Sequence, residues 1–512
     1  MKFSHVKLYL LCIVVGGMTG LITVPFRYLL VKSSDLRDIL FSSSYSWWFH
    51  PVIITIMWII GIAIWYLVKK YPIISGSGIP QIEGAIFGRF QFIHPLKALI
   101  AKFIGGVAGI GMGFSLGREG PSVQMGGFIA KLIGKWGKAN ISEQRYLYTG
   151  GASAGLSSAF TAPLASTIFI IEEVEKFDSV KIAISSLLAA IISGWIASQI
   201  FTINSYTLIN TAYPDEMNIG EIAIAFILFS TLLTIIGKTF NYLLLRFQKQ
   251  YRGSRIPVSI RILGIIIVTY ILGYFFSGLV AGGEKFLLKE ANAIHTEMGI
   301  LVILIIIKLL FTTLCYATGF PGGIFLPLLV IGGLTGKLFA LLLIRIEILS
   351  PEHFGFFMLI GMSALFAAVV RSPITGIILI LEMTQKFNML IPITVVVGIT
   401  YFISEIWKVK PIYDQLYKNL LPANYSQSDE RITIPFEINT ESYLAGRTNK
   451  TINLPYGCHI ENVIRNNECI SNKNYSLKPG DQINISLYSK EVIPFFEKYN
   501  ERINVNRLLF KR

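Results

Sequence analysis

The sequence predicts an all-α polytopic membrane protein made of two inverted-topology repeats of tilted and broken helices, followed by a small β-rich cytoplasmic domain. Three observations carry this: the composition, an internal repeat marked by glycine and proline, and a compositional break after Pro411. Of 512 residues, 53% are hydrophobic and only 15% charged, with a mean hydropathy of +0.60. No ordinary soluble domain has that balance.

Apolar stretches near the ~20 residues that cross a bilayer run from Leu8 to Leu30, Val52 to Val68, Ile222 to Leu245, Ile260 to Phe276, Ile300 to Tyr316 and Leu390 to Trp407. The first outruns a signal-peptide core and lacks a small-x-small cleavage site, so it is read as a span. Shorter, glycine-interrupted apolar segments lie between them. These suit broken or re-entrant helices, which survive at membrane depth only inside protein or along a cavity.

Net charge is +15. Basic residues gather at Lys2 and Lys7, at Lys69-Lys70 and from Arg246 to Arg261, while Asp215, Glu216 and Glu221 occupy an opposite loop. The positive-inside rule then puts both termini in the cytoplasm of a plasma (inner) membrane protein. The same charge can draw anions toward a vestibule. Nothing points to nucleic acid. Cys12, Cys315, Cys458 and Cys469 show no CxxC spacing and the six histidines are scattered, so no metal site, disulfide framework or cofactor is expected, and no enzyme activity.

Residues 151 to 174 align with 361 to 384 at an offset of 210 (361 − 151): Gly151/Gly361, Ser153/Ser363, Ala154/Ala364, Pro163/Pro373, Ile168/Ile378 and Glu172/Glu382 coincide. Gly117, Pro121, Gly126 and Gly127 recur as Gly323, Pro327, Gly332 and Gly333 at an offset of 206 (323 − 117). These offsets define two repeat halves, about 1–205 and 215–410, within a membrane domain of 1–421, and a binding site is expected between them. The tail, 422–512, is polar. Ile432, Ile434, Phe436 and Ile438 alternate, as do Ile483, Ile485 and Leu487, with turns at Asn466-Asn467 and Pro479-Gly480-Asp481.

The site is read from three segments that pair glycine with proline. Gly117-Arg118-Glu119-Gly120-Pro121 puts a carboxylate at a helix start, with Pro121 read as the first helical residue. Free amides there attract anions, and a protonatable side chain can take an anion's place and then release it. Glu119 is therefore a candidate gate. Gly76-Ser77-Gly78-Ile79-Pro80 brings a hydroxyl to another helix start, where it could equally be an N-cap. Gly323-Ile324-Phe325-Leu326-Pro327 offers backbone N–H groups that face those of its repeat partner. Opposed amide ends favour an anion, and no TVGYG-like carbonyl filter for a cation is present.

With GSGIP at 76–80, GREGP at 117–121, GGIFLP at 322–327 and KPIY at 410–413 in this order, residues 1 to 420 resemble the CLC family of chloride channels and chloride/proton antiporters. The resemblance implies a homodimer with one anion pathway per subunit. It implies that Ser77 and Tyr413 give hydroxyls to a central chloride, that the amides of Ile324 and Phe325 complete its shell, and that Glu119 is the external gating glutamate. It gives Glu173 the role of internal proton-transfer residue, which marks antiporters. The repeat agrees, because Glu172 has a counterpart in Glu382 whereas Glu173 faces Met383. Glu172 and Glu382 are structural candidates, and the resemblance also suggests an ion pair between Glu83 and Lys102 near the pathway.

The activity so implied is exchange of chloride against protons, gated by Glu119. The alternative is a passive voltage- or pH-gated chloride channel. Leu326 departs from the alanine usual in this motif, and Ser77 favours chloride over nitrate. The tail lacks the CBS pair of many relatives and resembles instead the C-terminal subdomain of RCK-type regulators of ion transport. That likeness implies regulation by a small-molecule ligand or a partner and names no contact residue; a plain stability or dimerisation module fits the tail equally well.

Overall fold

The computed structural model describes residues 2–420 apart from 42–45, 47, 88, 177–179, 202–204, 210, 215 and 294–295, and in the tail residues 431–438, 444–448, 451–452, 454, 458–465, 468–470 and 475–488. Asp215, Pro422 and the Asn466-Asn467 turn lie outside the described residues.

The first half consists of α1 (Lys2–Leu40), α2 (Phe49–Lys70), α3 (Ile79–Ile86), α4 (Pro95–Gly111), α5 (Glu119–Trp136), α6 (Ile141–Phe160), α7 (Pro163–Phe169), a π turn at Ile170–Glu175, and α8 (Val180–Ile200). The second repeats that order with α9 (Ile219–Gly253), α10 (Val258–Phe275), α11 (Glu284–Glu290), α12 (Met298–Ala317), α13 (Phe325–Arg345), α14 (Phe354–Val370), α15 (Pro373–Thr384) and α16 (Leu390–Ile406). A final helix, α17 (Ile412–Leu420), comes after both halves. Each half thus opens on a helix far longer than a ~30 Å apolar layer needs, α1 with 39 residues and α9 with 35. Such helices cross with a steep tilt or project beyond the layer.

Nine helices among the described residues are long and apolar enough to cross a membrane. Six contain the stretches legible in the sequence. The other three, Val180–Ile200, Phe325–Arg345 and Pro351–Val370, correct the reading of their segments as short broken pieces. Glycine and serine interrupt their apolar runs because these helices pack closely on protein. Every residue of α14 is buried. The coincident glycines of the repeat mark the closest approaches: a Cβ on Gly126 would lie 1.9 Å from the Gly151 carbonyl oxygen, and one on Gly332 would lie 2.3 Å from that of Gly361. The pairs α5/α6 and α13/α14 can close to this distance only with glycine at the crossing.

Equivalent residues of the halves also meet each other. Gly117 and Gly323 form an antiparallel bridge, with Gly117 N–H donating to Gly323 O at 2.7 Å and the reverse bond at 2.8 Å. An approximate two-fold axis therefore passes between them and relates the inverted halves.

The tail forms a four-stranded antiparallel sheet in the order β1-β4-β2-β3, with β1 at Arg431–Glu437, β2 at His459–Arg465, β3 at Glu468–Cys469 and β4 at Gln482–Tyr488. β1 and β4 lie where the sequence alternates. β2 escaped that reading because a register shift between Ile460 and Asn462 breaks its period of two. Val463, Leu477, Ile483, Ile485 and Leu487 pack beneath the sheet.

Candidate anion and proton site

α5 begins at Glu119, so Pro121 is its third residue and not its first. The correction is small physically, since every N–H of a first turn lacks an intrahelical partner and proline fits there. Glu119 is fully buried. Its carboxylate reaches across to the start of α13, where Leu326 N–H donates to Oε1 at 3.1 Å and the Phe325 N–H also faces it. The other oxygen, Oε2, has no partner. A side-chain anion thus fills an amide cradle built by the opposite half. The Leu326 amide was not named from the sequence, which treated residue 326 only as a side-chain departure.

The Ser77 loop is held from several directions. Gly76 and Gly78 adopt φ of +64° and +97°, values that glycine alone takes without strain. Lys102 Nζ donates to Ile74 O at 2.9 Å and Gly76 O at 2.7 Å, Gln124 Nε2 donates to Ile73 O at 2.7 Å, and Gly76 N–H donates to Gly319 O at 3.0 Å. Ser77 makes no N-cap bond, because Gly78 is the N-cap of α3. Its Oγ is instead buried and unpartnered. So is the hydroxyl of Tyr413, a fully buried residue near the start of α17. The two groups lie close enough to influence each other, yet neither makes a hydrogen bond of good geometry within the protein. Two bare buried donors beneath an amide cradle suit a small anion.

Glu173 is buried on the π turn. Ser372 Oγ donates to its Oε2 at 2.8 Å, and its Oε1 has no partner. The carboxylate is thus enclosed by protein and not exposed to solvent. The turn is fixed from outside: Arg145 pairs with the buried Glu175, and Thr149 Oγ1 donates to Glu175 Oε1 at 2.6 Å. A π turn adds a residue to the helix and re-aims the chain beyond it.

Glu172 and Glu382 have a reciprocal role. Glu172 accepts from the N–H groups of Ile374 at 3.2 Å and Thr375 at 2.9 Å, at the start of α15. Glu382 accepts from Leu164 at 3.1 Å and Ala165 at 2.8 Å, at the start of α7. Each half caps a helix of the other.

The expected Glu83–Lys102 ion pair is not formed. Lys102, fully buried, donates its hydrogen bonds to loop carbonyls, and Glu83 accepts from Lys176 at 3.2 Å. Two carbonyls of the loop before α3 satisfy the Lys102 side chain, and Lys176 takes Glu83. The second half repeats the device with Lys308, which donates to Leu279 O at 2.7 Å and Ala281 O at 2.8 Å. Near the gate, Arg118 pairs with Glu284 at 3.2 Å. Between Glu119 and Tyr413 runs an aromatic cluster that sequence reasoning missed: Phe325 stands 4.3 Å from Phe366 and 5.8 Å from Phe169, which stands 6.3 Å from Tyr413, centroid to centroid. Outside this constellation, Glu216, Glu352 and His353 gather within possible reach of a metal ion. Glu216 is engaged there by Ser350, whose N–H donates at 3.1 Å.

Fold and site together define an anion-handling membrane protein of two inverted halves with a carboxylate in the anion's path. Residues 60–405 match the family described as voltage gated chloride channel. The chain belongs to that family, the CLC family. It is 32% identical over 443 residues to the H(+)/Cl(-) exchange transporter ClcA of Salmonella typhimurium, covering 83% of this chain and 92% of the relative. It is 33% identical over 423 residues to the protein of the same name from Citrobacter koseri, covering 80% and 87%. Among solved structures it resembles a slow cyanobacterial Cl-/H+ antiporter, with TM-score 0.73, 30% identity, and 81% of this chain and 97% of that one covered. A CLC-type fluoride/proton antiporter shares the fold at TM-score 0.66 and 22% identity, with 81% and 98% covered.

Proposed function

We propose that this multi-pass membrane protein is a chloride/proton antiporter in which Glu119 is the gate, Ser77, Tyr413 and the amides of Ile324 and Phe325 hold the central chloride, and Glu173 passes protons. The observation that carries the reading is the Glu119 carboxylate lying in the opposite half's amide cradle with an unpartnered oxygen. Ionised, it excludes chloride from those amides. Protonated, it loses the charge that binds it, swings out and admits the anion. Protons reach it by way of Glu173, and chloride movement one way drives protons the other.

What favours exchange over a passive voltage- or pH-gated channel is that buried second carboxylate, together with relatives at 30–33% identity that bear exchanger names. In reconstituted liposomes, a chloride gradient should drive protons uphill. Glu119→Ala should abolish proton coupling while chloride still passes, and Glu173→Gln should stop proton flux with chloride flux retained. Chloride flux without any proton movement in the wild type would support the channel.

The finer organisation belongs to the same proposal. The protein is a homodimer in the plasma (inner) membrane with both termini cytoplasmic. Residues 1–421 form the transport domain, and 422–512 form a regulatory domain of the RCK C-terminal kind that takes a small-molecule ligand.

A further inference from the structure

Glu83 is buried on α3, the helix just after the Ser77 loop, and Asp414 lies next to Tyr413 on α17. A single ammonium joins them: Lys176 donates to Glu83 Oε1 at 3.2 Å and to Asp414. Lys176 comes directly after the π turn, in a left-handed conformation with φ of +54°. One side chain at the end of the π turn that carries Glu173 thus ties α3, which follows the Ser77 loop, to α17, which carries Tyr413. Glu173 also feels the charges of Lys176, Asp414 and Glu83, and Arg89 adds a second cation near Glu83. A half-exposed ion pair usually does little. This one differs because Glu83 is nearly inaccessible, at 6% side-chain exposure, and among the described residues it has no other ion-pair partner. A buried carboxylate holds its counter-ion firmly.

Resting on the exchange reading above, we infer that Lys176 is a positioning residue for the inner side of the anion site. Its bond to Asp414 holds α17 against α3, so that the Tyr413 and Ser77 hydroxyls close beneath the chloride. Letting go of Asp414 while keeping Glu83 frees α17 to move and opens the inner path. Without this strap, chloride slips past between proton transfers.

The test uses the full chain in liposomes, recording chloride efflux and proton uptake together for the wild type, Lys176→Met, Asp414→Asn and Lys176→Arg. Lys176→Met and Asp414→Asn should each raise chloride moved per proton by about two- to fivefold, the leverage of a partly exposed pair. The double variant should rise no further than Lys176→Met alone, since that change already removes the Asp414 contact, and Lys176→Arg should keep the wild-type ratio. If Lys176→Met does not fold, Asp414→Asn decides alone. An unchanged ratio in Asp414→Asn overturns the inference even where Lys176→Met is altered, because Lys176 would then act through Glu83 or Glu173. A wild type that moves no protons would defeat the exchange reading instead. The strap would then be judged on chloride flux alone, which Asp414→Asn must raise by a similar factor.

Discussion

Lys102 shows what one buried charge can do without a carboxylate. Its ammonium gathers two carbonyls of the Ser77 loop, and Lys308 does the same for the matching loop of the second half. Methionine at either position keeps the volume and leaves two carbonyls unpaired, a cost of about 1–3 kcal/mol for each buried group before the gain from not burying a charge. Lys102→Met and Lys308→Met should both lower the unfolding midpoint in detergent. Only Lys102→Met should weaken chloride binding by calorimetry, since the position of Ser77 in its loop is held by Gly282 in the other. At this scale the motifs located residues that the fold then buries with unpartnered oxygens. Glu119, Ser77 and Tyr413 were all named from motifs. The Glu83–Lys102 pair was misjudged because the true partners, Lys176 and the carbonyls of Ile74 and Gly76, depend on how the chain turns between α2 and α3.

Among the elements, the exchanged caps are the most exacting. Glu172 and Glu382 satisfy amides at the starts of α15 and α7, helices of 12 and 7 residues that begin with proline. Replacing either by alanine should cost about 1 kcal/mol, as for other lost caps, and denaturant unfolding in detergent should give the two variants similar losses. In the tail, burial alone would raise the Asp481 carboxyl, but hydrogen bonds from Arg465, both at 2.7 Å, and from Lys478 N–H outweigh it and hold it below the ordinary carboxylate range. A carboxyl lowered by folding stabilises above its unfolded pKa of about 3.9, and that support is lost as pH falls through the folded value. Asp481→Asn in the full chain should therefore expose the tail to proteolysis at neutral pH, and the difference from wild type should vanish in pepsin digests at lower pH. The spans were readable wherever lipid-facing surface kept them uniformly apolar. They were unreadable in α8, α13 and α14, where glycine and serine serve contacts with other helices.

For the molecule as a whole, the residues proposed above for transport sit where the two halves differ. Glu119 matches Phe325, Ser77 matches Gly282, Glu173 matches Met383, and Tyr413 rides on α17, which lies beyond the repeat. Leu326 packs against Gly282, where an added Cβ would come within 2.4 Å of it, while a Cβ added to the matching Gly120 would come within a similar 2.4 Å of Ser77 Oγ. The repeat was visible from glycine and proline alone, but which copy bears the chemistry needed the paired contacts. Those contacts also set a timetable. Glu119 finds Leu326 207 positions further along the chain, and Glu172 finds Thr375 203 positions on. At about 5–20 residues per second, synthesis separates such partners by roughly 10–40 s. Through that interval the newborn first half sits in the bilayer with its gate carboxylate unanchored and Glu172 capping nothing, so water or a chaperone must cover both. Ribosome-bound chains stalled before residue 323 should bind no chloride, and those released after residue 420 should. Within the membrane domain, the transport site is the last thing to be finished.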